Sequence, residues 1–133
     1  MDIHDTESIL LFARRQLAKG RVWTTAVLLE AFLKKKRCPA DARFKAEALR
    51  CLALAELCKL LGARDVAKKG LIAKVQVDWV ASIGKGSVDR ILADSMDKAG
   101  CHFASLREPT KSQQALKKQL DKIAQEISKA KKG

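Results

Sequence analysis

The sequence predicts an all-α protein: a single compact bundle of five to six helices with a basic amphipathic helix at its C-terminal end. Three observations predict it. Apolar residues recur at helical spacing along most of the chain. Seven Gly and two Pro in 133 residues are too few for the tight turns of an all-β fold. Hydrophobic residues make up 47% of the chain and charged residues 32%, enough apolar material for a core and too much for disorder throughout. The length gives one domain, with residues 1–109 as the helical core and 110–133 as the C-terminal helix and tail.

Each element has its own signals. The first helix is expected over residues 6–19, with Asp5 or Thr6 as cap and Glu7 at the positive end of the dipole. Ile9, Leu10, Phe12, Ala13 and Leu17 are its apolar set, and Gly20 is the stop. The second helix starts near Thr24 and carries Val27, Leu28, Ala31, Phe32 and Leu33 into Lys34-Lys35-Lys36-Arg37. Bases at that end complement the dipole. Pro39 opens a third helix, which runs to Leu61 with Gly62 as its stop. Phe44, Leu49, Leu52, Leu54, Leu57, Leu60 and Leu61 go most of the way round this cylinder, which marks it as the core.

Residues 64–83 fit two patterns. Val75, Val77 and Trp79 alternate as in a strand, while Ile72, Val75, Trp79 and Ile83 share a helical face. Length and context favour helix, with Gly70 as a break. Gly84-Lys85-Gly86 reads as a turn, and Ser87 then caps a short helix through Val88, Ile91, Leu92 and Met96 to near Gly100. Residues 101–109 read as loop. Thr110 and Gln113 have capping-box spacing before a last helix over 111–130. Its stripe, Leu116, Leu120, Ile123 and Ile127, is a narrow seam of coiled-coil type. The seam can pack back on the domain, pair with its twin in a homodimer, or lie along a partner helix. It lacks Trp and Phe, so a membrane surface ranks last.

Residues 13–33 and 55–75 share a faint pattern, an Ala followed seven residues on by Gly20 or Gly62. This superficially resembles the helical hairpins of tetratricopeptide repeats. The offset of 42 is not the usual 34 or so, and the aromatic positions are mostly absent. The pattern is helix-pair geometry and assigns no family.

The four cysteines, Cys38, Cys51, Cys58 and Cys101, include no CxxC pair. Cys51 and Cys58 are two helical turns apart, about 10.5 Å, too far for a disulfide. Reduced, buried thiols in a cytoplasmic or nuclear protein are expected, not a secreted one. The acidic start Met1-Asp2-Ile3-His4-Asp5 does not look like a secretory signal. No stretch of about 18 residues is free of charge, so no membrane span is expected.

The net charge is +12, from 27 Lys plus Arg against 15 Asp plus Glu. Residues 1–62 carry +5, residues 63–110 carry +2, and residues 111–133 carry +5. In the first part the bases cluster: Arg14, Arg15, Lys19 and Arg21, then Lys34 to Arg37, then Arg43, Lys45 and Arg50. A polyanion partner explains this economically, because phosphates attract Lys and Arg without a pocket and counterion release rewards many contacts. A solvated Lys-rich face would explain any single run. It does not explain the whole chain, where self-repulsion opposes compaction.

The expected function is therefore non-enzymatic nucleic-acid binding, RNA ahead of DNA. Arg14, Arg15, Lys19, Arg21, Lys34, Lys35, Lys36, Arg37, Lys117, Lys118 and Lys122 would supply phosphate contacts, with Lys85 and Arg90 beside the Gly turn. With no Tyr, four Phe and two Trp, base stacking on an aromatic platform is not expected. A homodimer would double the basic surface. The alternatives are an adaptor for an acidic protein partner and a helix-turn-helix DNA binder. For the latter, Val77, Ala81, Ile83, Val88 and Ile91 have suitable spacing. Against it, Asp78 and Ser82 stand where that motif prefers a small residue and Gly, and Asp89 would face the groove. An ordinary helical corner explains the segment better.

No cofactor or metal is expected. Cys101-His102 lacks the ligand spacing of zinc. Gly84-Lys85-Gly86-Ser87 lacks the preceding Gly of a phosphate-binding loop. No Cys pairs distinctively with His4 or His102 as a nucleophile. Asp94 and Asp97 are explained by Lys98 and solvent.

Overall fold

The computed structural model describes residues 3–34, 38–81 and 85–132 and, of these, every side chain but those of 3–5, 85 and 130–132. These residues form α1 (Ile3–Ala18), α2 (Val22–Leu33), α3 (Ala40–Leu61), a 3-10 turn (Val66–Lys69), α4 (Leu71–Ala81), α5 (Lys85–Ala104) and α6 (Lys111–Lys132), with no strand among them. The all-α bundle holds, with six helices. No helix among the described residues is long and apolar enough to cross a membrane.

The α1–α2 turn is built by glycine. Gly20 has φ of +81°, a conformation open to glycine at little cost. Its N–H bonds to Leu17 O at 3.0 Å and that of Arg21 to Gln16 O at 3.0 Å, the paired bonds of a Schellman ending. Arg21 Nη1 also donates to Gln16 Oε1 at 3.0 Å, so this side chain braces the turn. Gly62 closes α3 differently, with φ of −90°. The second left-handed glycine is Gly70, φ +109°, between the 3-10 turn and α4. The two stretches of similar sequence thus turn by different means.

α3 is central, as its apolar circumference predicts: it packs against all five other helices. On one side Ala46 and Leu49 meet Leu10 and Ala13 of α1 and Leu29 and Phe32 of α2. On the other, Phe44, Cys51, Leu54 and Leu57 join a larger cluster with Val88 and Leu92 of α5 and Leu116 and Leu120 of α6. Burying each Leu, Val or Phe among them contributes about 1.5–3 kcal/mol. Arg43 N–H bonds to Pro39 O at 2.9 Å in the first turn, confirming proline as the opener.

α4 resolves the strand–helix ambiguity as helix, but not on the expected face. Ala73, Gln76 and Val80 point inward, while Ile72 and Trp79 are exposed. Gln76 explains the rotation. Its Oε1 accepts the Trp23 N–H at 2.9 Å, and its Nε2 donates to Gly20 O at 2.8 Å and Ile72 O at 3.1 Å. One buried amide thus caps α2, which has no side-chain cap of its own, and ties α4 to the α1–α2 turn.

Other boundaries move outward. α1 starts at Ile3, so Asp5 and Thr6 lie inside it rather than capping it. No Gly or Pro precedes them to break the helix. α2 starts at Val22 because Gln76 fixes its first turn there. α5 starts at Lys85, which places Ser87 in its first turn, and it continues through Gly100 to Ala104. Cys101 to Ala104 are therefore helical, and the loop begins at Ser105. Phe103 packs on Phe44 with ring centroids 5.3 Å apart, and this burial outweighs the cost of about 1 kcal/mol for a helical glycine. The capping box at α6 is formed: Thr110 N–H donates to Gln113 Oε1 at 2.8 Å and Gln113 N–H to Thr110 Oγ1 at 3.1 Å. The seam of α6 packs back on the core, with Leu116 and Leu120 buried and Ile123 and Ile127 against them.

Replacing Gln76 by Leu should cost about 2–3 kcal/mol, because it strands the Trp23 N–H and the Gly20 carbonyl. Urea denaturation checks this by the shift in midpoint at unchanged slope.

Candidate functional site

Two recesses lie toward opposite ends of α2. The first, at its C-terminal end, is a cleft of about 480 Å³ between α2, α3 and α5. It gathers four cations, Lys34, Arg50, Arg90 and Lys98, with three carboxylates, Glu30, Glu47 and Asp94. The floor is a buried polar network. Glu47, 2% exposed, accepts from Ser95 Oγ at 2.5 Å and lies 3.3 Å from Arg50 Nη1. Arg50, 8% exposed, reaches Glu30 at 3.9 Å with Nη2, while its buried Nε has no partner among the described residues. Cys51 extends the network, its thiol donating to Ser95 Oγ at 3.3 Å.

The walls are different. Lys34 lies 3.7 Å from Glu30 and Lys98 3.1 Å from Asp94, both exposed pairs one turn apart on their helices. Such pairs contribute about 0.3–0.5 kcal/mol, so either lysine can leave its carboxylate for a phosphate at little cost. Arg90 is exposed and, of the four cations, has no carboxylate partner among the described residues. The cleft therefore has a fixed, neutralised floor and an exchangeable basic rim.

The structure brings Lys34 and Arg90 together, and adds Lys98 and the buried Arg50. Sequence reading named Arg50 only as part of a cluster, and attached Lys98 to Asp94. The spacing of Ser95 from Val88, Leu92 and Ala99 puts it on the buried face of α5, and that was the available signal for a polar network. Lys35, Lys36 and Arg37 continue the run from Lys34 and lie outside the described residues, as does the side chain of Lys85. Arg14 and Arg15 are exposed on α1, and Lys19 is exposed in the turn after it. Arg21 is exposed but held by Gln16. On α6, Lys118 and Lys122 are exposed. Lys117 is committed to Asp121 at 2.6 Å and lies 5.9 Å above the Phe103 ring.

The second recess, at the N-terminal end of α2, is a groove of about 710 Å³. Leu17, Leu52, Ala55 and Ile123 line it, α4 contributes Leu71 and Ile72, and Lys19, Lys59 and Lys69 edge it. Here Lys19 joins bases that are distant in sequence.

The corner between α4 and α5 carries little of a helix-turn-helix reader. Residues 82–84, which would hold its turn, lie outside the described residues. Val88, Leu92, Ser95 and Ala99 bury one face of α5, chiefly against α3. The exposed face carries Asp89, Asp94 and Asp97 beside Arg90 and Lys98, a mixture of signs unlike the basic face of a helix laid in a groove. Of these acids only Asp94 lines the cleft, where Lys98 answers it at 3.1 Å, and Asp97 lines a different recess. Asp89 also accepts from the Cys58 thiol at 3.3 Å. The four cysteines are free, with Cys51 buried, Cys38 and Cys58 half-buried and Cys101 exposed. No cluster of metal-ligating side chains occurs among the described residues.

Burial pushes the Cys51 thiol from 9.0 up to about 12, against the opposite pull of the Ser95 hydroxyl. The folded chain thus favours the neutral thiol. Below pH 9.0 both states keep the proton, and from there to about pH 12 the unfolded chain loses it first, so stability falls as pH rises. Cys51→Ala should flatten this fall, measured as the wild-type minus variant difference in urea midpoint across that window. At neutral pH a thiol reagent should modify Cys101 first and Cys51 only on unfolding, as read by peptide mass mapping. Glu47→Ala should cost about 3–5 kcal/mol by stranding Arg50, and Glu47→Gln should cost less because it can keep the Ser95 bond.

Comparison of the chain with protein-family models, with curated proteins and with solved structures found no match, so the functional reading rests on the geometry alone.

Proposed function

We propose that this chain is a non-enzymatic nucleic-acid-binding protein that holds backbone phosphates, RNA ahead of DNA, with the basic rim of the cleft between α2, α3 and α5. The observation that carries the reading is the convergence of Lys34, Arg90 and Lys98 from two helices over a buried Arg50. Bases far apart in sequence share one recess, and two of them are tied only by weak exposed pairs. Lys34 enters the rim from the end of α2, and Lys35, Lys36 and Arg37 follow it in the sequence. Lys118 and Lys122 on α6 and Arg14 and Arg15 on α1 are further exposed bases outside the cleft.

The mode is backbone contact rather than base readout. Phe12 and Trp79 are the two exposed aromatics among the described residues, and they stand on separate helices, α1 and α4. A stacking platform needs neighbouring rings. Helix-borne Lys and Arg instead suit a duplex whose phosphates and sugar edges are read by shape.

Fluorescence anisotropy against duplex RNA, single-stranded RNA and duplex DNA at several salt concentrations tests this. The wild type should bind duplex RNA with a steep salt slope. Arg90→Ala and Lys98→Ala should each weaken binding similarly across sequences and reduce the slope by about 1. Unchanged slopes in the double variant would remove the cleft from the interface, and absence of binding near physiological salt would end the nucleic-acid reading.

A further inference from the structure

Exposed apolar side chains concentrate on α4. Leu71 is 77% exposed, Ile72 45% and Trp79 59%. Leu71, Val75 and Trp79 are spaced four and four, so they form one stripe along the helix, with Val75 half-buried between its neighbours. The N-terminal end of this stripe opens directly into the groove of about 710 Å³, whose floor is Leu17, Leu52, Ala55 and Ile123. Floor and stripe together present an apolar surface on which Leu71, Ile72 and Trp79 are the exposed side chains.

The edge of this surface is electropositive. Lys19 and Lys69 have no ion-pair partner among the described residues, and Lys59 is held by Glu56 in an exposed pair at 3.4 Å. α2 and α4 both direct their N-terminal ends here, and neither has an acidic residue in its first turn. The C-terminal ends of α1 and α3 line the groove as well, so the helix-end charges offset one another and the sign is set by Lys19, Lys59 and Lys69 against Glu56.

We infer that this groove and the α4 stripe dock an amphipathic helix of a partner protein that carries acidic residues beside its apolar face. Charge complementarity sets the acids, and the shape of the apolar surface sets the helix. A small amphiphile sunk in the groove would leave the outer side of Leu71 in water and would not reach Trp79, which does not line the groove. From Leu71 to Trp79 the stripe extends about 12 Å. A helix of about three turns, with apolar residues at successive turns, covers stripe and groove together. The site is separate from the phosphate-binding cleft and does not rest on that reading.

The test uses the full chain, labelled with nitrogen-15, and two synthetic helical peptides of the same apolar pattern. One carries Glu beside the apolar face and the other carries Lys at the same positions. The acidic peptide should shift the amide signals of Gly20, Gly70, Leu71 and Ile72 saturably, and the basic peptide should bind about tenfold more weakly or not at all. Leu71→Gln and Lys69→Gln should each weaken the acidic peptide about tenfold. Both positions are exposed, so circular dichroism should be unchanged. Leu71→Gln keeps the net charge, so its affinity for duplex RNA should stay at the wild-type level, which separates this site from the cleft. Equal binding of both peptides, no saturable binding, or shifts that map away from α4 would overturn the inference. So would anionic phospholipid vesicles that shift these same amides while the acidic peptide does not.

Discussion

The fold depends on a carboxylate in the wrong place for a carboxylate. Glu47 sits on the most central helix with 2% of its surface exposed. An ion so buried costs several kcal/mol unless its oxygens are paired. The partners come from its own helix, through Arg50, and from α5, through Ser95. A slide of α5 along α3 by one turn, about 5.4 Å, would leave Glu47 with Arg50 alone, take away its Ser95 hydrogen bond and seat Ser95 against apolar surface. Apolar faces alone tolerate such slides better, because Leu and Val at successive turns resemble one another. The network therefore selects one register for the most extensive helix pairing in the molecule.

The same network decides what the cleft can do. Arg50 lies between Glu47 and Glu30, so its charge is largely answered before any ligand arrives. It shapes the floor and holds α2 near α3. Contact with a bound polyanion would fall to the exposed rim, where Arg90 has no carboxylate partner among the described residues and the lysine pairs are weak. This division fits backbone binding, in which several mobile cations share many phosphates, better than a rigid pocket for one small anion.

Legibility followed the physics of each signal. The all-α class, the centrality of α3, the glycine stop at Gly20 and the Thr110–Gln113 capping box were readable because each is a local pattern with its own local cause. The inward face of α4 was not. Hydropathy ranks Ile72 and Trp79 above Gln76, and the reversal comes from hydrogen bonds to a turn more than fifty residues away in sequence. Gly100 misled for a related reason: its local cost is real, but Phe103 finds Phe44 from another helix. The basic residues were visible as runs, yet the meeting of Lys34 with Arg90 depends on the packing of α2 and α5 around α3. Glu47 could have been suspected, since it lies among Ala46, Ala48 and Leu49 on a helix apolar on most sides.

α2 is the bridge between the two recesses. Its 12 residues span about 18 Å, with the polar cleft toward one end and the apolar groove toward the other. The ends differ because their neighbours differ. At the C-terminal end α2 meets the charged network of α3 and α5. At the N-terminal end it meets Gln76, whose inward rotation carries Leu71, Ile72 and Trp79 outward on the same helix. The buried amide that caps α2 is thus also the cause of the exposed apolar stripe. Turning α4 to bury the stripe would uncap α2 and strand the Gly20 carbonyl, so the exposure is a consequence of how the α1–α2 turn is held rather than a defect of packing.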